Sequence, residues 1–209
     1  MTSSNFGTIC KRKEETKPDS YLLHNIMDYD GGFYTAATKW DKNHEAAAKR
    51  VYQRVIQKTH PGLNLYSSGL VIKPDLPHLG SSPDGVLDCC KKCTTDSKGV
   101  LEIKCAYKFR NSSPEEAYVD KTFWCTLVNG KITLKRNHSY YVQVQGQMAI
   151  IDRKWCNSFV WPLRGHSVER IPFDNAAWVT MLSKLNNFCI KAVIPELFSE
   201  QVRRRKAPK

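Results

Sequence analysis

The tightest constraint on the fold lies between Gly80 and Cys105, where two apolar ribbons, GSSPDGVLDCC and GVLEIKC, follow one another across a charged loop. Val100, Leu101 and Ile103 suit a strand covered on most sides. A Pro83–Asp84–Gly85 turn sets an aspartate at the mouth of the first ribbon. On the second, Glu102 and Lys104 stand two apart and therefore point to the same face. If the ribbons pair as a hairpin through CCKKCTTDSKG, Asp84 and Glu102 reach one point in space. Carboxylates so close repel unless a proton or a cation joins them.

Around this block the chain alternates helical and extended patterns. Ala47, Ala48, Val51, Tyr52, Val55 and Ile56 recur at spacings of three and four, which predicts a helix from Thr38 to about Thr59, with Glu45 near its start and HPG at His60 ending it. YSSGLVI reads as a strand and KPDLPHLGSSP as an irregular connection. Ser113, Pro114 and Glu116 form a capping-box signature for a short helix, and Asn129-Gly130 centres a hairpin. Ser139 to about Asp152 reads as a helix entered at Asn137 or His138; a strand is the competing reading, and Gly146 weakens the helix. WCNSFVWPL and HSVERIPF are further strands, and Asp174 caps a long helix that Pro195 breaks. The expected organisation is a loose polar leader over residues 1–25, a folded domain over 26–200 and a basic tail over 201–209. The order of elements is that of an α/β fold, a mixed sheet flanked by helices.

A hard divalent cation, Mg²⁺ or Mn²⁺, resolves the repulsion between Asp84 and Glu102, with the Ile103 carbonyl and waters completing its shell. Such an ion polarises a phosphate and acidifies water, and Lys104 would orient the attacking water or offset transition-state charge. The net charge of +12 suits a polyanionic partner, DNA. The plain alternative is a strand with a solvent-side ion pair beside an ordinary turn. The eight cysteines come with no secretory signal, so thiols or metal ligands are expected rather than disulfides. Cys89, Cys90, Cys93 and Cys105 are candidates for a structural Zn²⁺ knuckle, against a simpler reading as thiols. No apolar run is long enough to span a bilayer, so no membrane is expected and an intracellular location is, nucleus or cytoplasm undecided.

With these residues in view, SSPDGVLDC, GVLEIKCAYKFR and HSYYVQVQGQM, in that order, resemble the YqaJ-type viral recombinase family, of the lambda exonuclease kind, within the PD-(D/E)XK nuclease superfamily. The cysteines and the LKRNHSYY run are most similar to animal versions associated with mobile elements. The resemblance implies a restriction-endonuclease-like core. It matches Asp84 and Glu102 to metal-binding carboxylates, Lys104 to the catalytic lysine, Glu45 to a helical glutamate aimed at the metal and Gln143 to the active-site glutamine. Gln147 lies on the same helical face as Gln143, whereas Gln145 points away. Ser82, Lys108, Arg110 and Tyr141 are candidate DNA contacts, with turn bonding, solvated charge and core packing as the simpler readings.

The resemblance further implies a 5′ to 3′ exonuclease acting on double-stranded ends in recombination or repair, a single-strand annealing protein as partner, and a homo-oligomer, a trimer. HNIMDYDGGFYTAATKW matches poorly the segment that forms the DNA entrance in that family, and Ala106 stands where a proline is common. A catalytically inactive DNA-binding or scaffold module is therefore the alternative function, and a zinc-stapled interaction domain a third.

Overall fold

The computed structural model describes residues 1–13, 20–29, 35–89 and 97–206. In chain order these form α1 (Ser3–Cys10), α2 (Ser20–Ile26), α3 (Ala36–Thr59), β1 (Asn64–Tyr66), β2 (Val71–Ile72), β3 (Gly80–Ser81), β4 (Gly85–Asp88) and β5 (Lys98–Lys104). There follow α4 (Pro114–Ala117), β6 (Cys125–Val128), β7 (Lys131–Leu134), α5 (Ser139–Ile151), β8 (Trp155–Val160), β9 (Ser167–Pro172), α6 (Asn175–Phe188), α7 (Ile194–Ser199) and α8 (Gln201–Lys206).

The central sheet runs β1-β4-β5-β8-β9. β5 and β8 pair in parallel and every other neighbour is antiparallel, so the sheet is mixed, as expected. Alternation along the strands sorts side chains onto two faces. Leu87, Leu101, Ile103, Trp155 and Phe159 pack with Ala48, Tyr52 and Ile56 of α3. Val100, Cys156 and Ile171 pack with Val144 and Met148 of α5. Every residue of β8 is buried, and its Asn157 meets that burial by donating to the Tyr52 hydroxyl at 2.7 Å and accepting from Arg170 Nε at 3.1 Å.

Local signals act as the sequence predicts at several ends. The Ser113 hydroxyl accepts from the Glu116 N–H at 3.2 Å while the Glu116 carboxylate accepts from the Ser113 N–H at 2.9 Å. Asn129 and Gly130 both have positive φ in the turn joining β6 and β7, the conformation that an Asn-Gly hairpin demands. His138 caps α5 by accepting from the Tyr140 N–H, and Asp174 caps α6 by accepting from the Ala177 N–H. The Asp84 and Glu102 ribbons do pair as a hairpin, Gly85 opposite Leu101.

Four expectations need correction. Residues 3–10, expected in a loose leader, form α1, whose Phe6 is wholly buried with Ile9 against Leu22 and Leu23 of α2 and Trp178, Met181 and Leu185 of α6. Burying one such aromatic contributes roughly 1.5–3 kcal/mol, so two apolar positions on a short helix suffice to dock it. The basic tail is helical over residues 201–206, with Val202 buried. YSSGLVI is not one strand: β1 pairs with β4, and β2 with β3. Pro195 does not end the helix; a π-turn over Cys189–Val193 lets the chain continue into α7 with the proline in its first turn.

Candidate functional site

The candidate site forms where β5 outruns its neighbour. Extending the Gly85–Leu101 register by one residue sets Asp84 opposite Glu102, and opposed residues of an antiparallel pair project on the same face. Because β4 begins only at Gly85, the β4-side edge of β5 lies open beyond that point, and backbone groups there need other partners. The Ile103 N–H donates to Asp84 Oδ2 at 2.6 Å, and the next amide on that edge, Cys105, donates to Asp41 Oδ1 at 2.7 Å. Since N–H and C=O of one strand residue point the same way, the Ile103 carbonyl opens onto this edge beside Asp84.

On the other flank Glu102 is 4% exposed, a burial that a carboxylate tolerates only when paired and hydrogen-bonded. Its Oε1 accepts from Lys104 Nζ at 2.5 Å and from Gln143 Nε2 at 2.6 Å, and its Oε2 accepts from Gln147 Nε2 at 2.6 Å. Both glutamines come from α5, one turn apart, which explains the paired glutamines in an otherwise apolar stretch. Bonds to a charged acceptor of this kind contribute about 1.5–3 kcal/mol each, which offsets the cost of burying the carboxylate. About four lone-pair directions are available to it, so three donors leave room for one further ligand.

The electrostatics follow from this crowding. Burial first, and then the Glu102 carboxylate, push the Asp84 carboxyl up to about 8, against the opposing pull of Lys104 and the Ile103 N–H, with Glu45 adding to the rise. Asp84 therefore retains a proton that a cation could replace. Burial also raises Asp41, again against Lys104 and the Cys105 N–H. Burial alone would lower the Lys104 ammonium, but Glu102, Tyr140, Asp84 and Asp41 outweigh it and hold the lysine charged. Its Nζ also lies 4.6 Å from the centroid of the Tyr140 ring. Glu45, one turn after Asp41 on α3, pairs with Lys49 at 2.5 Å and its side chain is 36% exposed.

The structure thus draws together Asp84, Glu102, Ile103, Lys104, Gln143 and Gln147, with Glu45 close enough to act on Asp84. Asp41 escaped the sequence reading, although its four-residue spacing from Glu45 puts both on one face of α3. Gln145 does point away: it accepts from the Asp174 N–H and donates to the Pro172 carbonyl.

The expected DNA contacts are more dispersed. Ser82 is exposed between β3 and β4. Tyr141 is partly buried beneath the Arg136 guanidinium, 4.9 Å from its ring centroid. Lys108 engages Asp120 at 2.8 Å and Thr122 at 2.6 Å, and Arg110 donates to the Tyr107 carbonyl. Of the zinc candidates, Cys89 and Cys105 are buried free thiols, and Cys90 and Cys93 lie outside the described residues.

Among the described residues, no three His, Cys, Asp or Glu side chains gather into a ready metal cage. The donors at hand, two acids and a backbone carbonyl, instead fit a hard cation that keeps part of its water, the way Mg²⁺ is usually held. Among the described residues no helix is long and apolar enough to cross a membrane.

Residues 1–154 match the family model described as the YqaJ-like viral recombinase domain, so α1 and α2 lie inside the matched region. Among solved structures, the fold is similar to an alkaline exonuclease, LHK-Exo, from Laribacter hongkongensis: TM-score 0.65, 20% identity, covering 99% of this chain and 94% of that one. LHK-Exo in complex with dAMP aligns with a TM-score of 0.63 at 21% identity over 99% of this chain and 91% of that one. A phage-related exonuclease from Haemophilus somnus aligns with a TM-score of 0.59 at 13% identity, over 94% of this chain and 96% of that one. No curated protein matches the sequence.

Proposed function

The chain belongs to the YqaJ-like viral recombinase domain family, and from that premise we propose that it is a metal-dependent DNA nuclease, a 5′ to 3′ exonuclease on double-stranded ends. One observation carries the reading: Asp84 falls opposite Glu102 at the open end of β5, with Lys104 held against the second acid. Glu45, Asp84, Glu102 and the Ile103 carbonyl are the groups that would hold Mg²⁺ or Mn²⁺. When bound, such a cation supplies Lewis acidity to the phosphate and acidifies water.

The chain's own groups have separate roles. Gln143 and Gln147 fix the Glu102 carboxylate in one orientation before substrate arrives, so no reorganisation is needed during reaction. Lys104, kept protonated by four neighbouring groups, would orient the attacking water and offset charge on the pentacovalent phosphate. Burial of Glu102 excludes bulk water from the α5 flank and strengthens these interactions. The net charge of +12 favours DNA as substrate. Action on ends during recombination, with an annealing protein receiving the exposed strand and a trimer encircling the duplex, extends the same reading.

The deciding assay uses end-labelled linear duplex beside covalently closed circles, with Mg²⁺, comparing wild type with Asp84→Ala and Lys104→Ala. Shortening of the linear substrate from its 5′ ends by wild type alone is expected. Equal activity in all three proteins removes the site, and cutting of closed circles replaces the exonuclease reading with an endonuclease.

A further inference from the structure

On the surface of α3 next to the acids, Trp40 and His44 stack one turn apart, ring centroids 3.7 Å and planes 22° from each other. The His44 ring is pinned by its Nδ1, 2.8 Å from the Trp40 carbonyl oxygen. The group widens on both sides: Tyr107 lies 5.9 Å from Trp40, and Trp161 6.4 Å from His44. Over its rim the Arg110 guanidinium sits 4.8 Å from the Tyr107 ring and 5.8 Å from Trp40. Trp40 and Trp161 rest their inner sides on the core beneath α3, but Tyr107 is 38% exposed and belongs to no core cluster. Core packing therefore accounts for the inner rings and not for Tyr107 and Arg110.

The aromatic group is continuous with the candidate site residue by residue. Asp41 follows Trp40, Glu45 follows His44, and Tyr107 comes two residues after Cys105, whose amide Asp41 caps. A cation-bound phosphate at the acids would thus lie beside a bank of flat rings edged by a guanidinium. Phosphate chemistry makes no use of such rings, whereas every nucleobase has a π face to lay on them. Arginine beside them adds cation–π attraction and can meet a phosphate. We propose that Trp40, His44, Tyr107 and Arg110 form a stacking platform for unpaired bases of single-stranded DNA, placing the neighbouring phosphate at the acids. The identification of the strand as DNA rests on the nuclease reading; the base-stacking function does not.

The test is fluorescence anisotropy in EDTA, where no cutting occurs, with a labelled oligothymidylate and an abasic strand of equal length and charge. Base–aromatic stacking predicts that wild type prefers the base-bearing strand by at least about 5-fold. Tyr107→Ala should bring that affinity down toward the abasic value, leaving abasic binding unchanged, and Tyr107→Phe should restore it. Trp40→Ala should do the same where circular dichroism shows a folded protein; the exposed Tyr107 decides the matter if it does not fold. Equal affinity of wild type for the two strands, or an undiminished preference in Tyr107→Ala, overturns the platform. Asp84→Asn should keep the preference, so a failed cutting assay with preference intact sinks the nuclease reading alone.

Discussion

On its α5 flank, the end of β5 is closed: Glu102 is almost wholly buried, and Lys104, Gln143 and Gln147 all donate to it. On its α3 flank the same strand end is open. There Asp84 and Asp41 each spend an oxygen on an amide that β4 no longer reaches, and Glu45 lies half in solvent beside Lys49. One flank fixes a negative charge in place at the cost of desolvation; the other leaves acids poised where an ion and a strand can approach. A nuclease needs both, because charge must be preorganised and substrate must still enter.

Substitutions on the two flanks should accordingly fail in different ways. The largest effect is expected for Asp84→Asn and Glu102→Gln, which remove one acid from each flank. Either should lower kcat on linear duplex by at least about 100-fold in a steady-state cleavage assay. Gln147→Leu breaks the closed flank alone. It leaves a buried carboxylate oxygen without its donor and should lower stability by about 1–3 kcal/mol in urea denaturation. Asp41→Ala leaves the Cys105 amide uncapped and should cost about 1 kcal/mol. Asp41→Asn, which keeps a carbonyl oxygen as acceptor, should recover most of that. Glu45→Gln touches only the open flank. Its effect on stability should stay within about 0.5 kcal/mol, since the exposed pair with Lys49 is worth little. An equally large loss of stability in Glu45→Gln and Gln147→Leu would erase the distinction between the flanks.

What was legible in the sequence was local. The capping box at Ser113, the Asn129-Gly130 turn and the long periodic helix α3 are written in neighbouring residues, and each forms where its signal lies. The two-apart spacing of Glu102 and Lys104 likewise fixed their common face. What stayed hidden depends on residues far apart in the chain. α1 offers few apolar positions, and only its fit against α2, α5 and α6 makes it a core element. Gly146, which counts against a helix when α5 is read alone, is where Phe6 settles, since a Cβ there would collide with that ring. Gly7 approaches Ser139 in the same way. Asp41 carried no motif, and its partner, the Cys105 amide, is 64 residues away. Pro195 signals a break, and the π-turn that accommodates it has no sequence signature.

The central claim is that Asp84 and Glu102 together form a seat for a divalent cation, and titration calorimetry with Mn²⁺ tests it most directly. The expected result is saturable binding by wild type that disappears in both Asp84→Asn and Glu102→Gln, while Glu45→Gln still binds, more weakly. Isotherms for wild type and the two substituted proteins that superimpose, whether all binding or all flat, would contradict it.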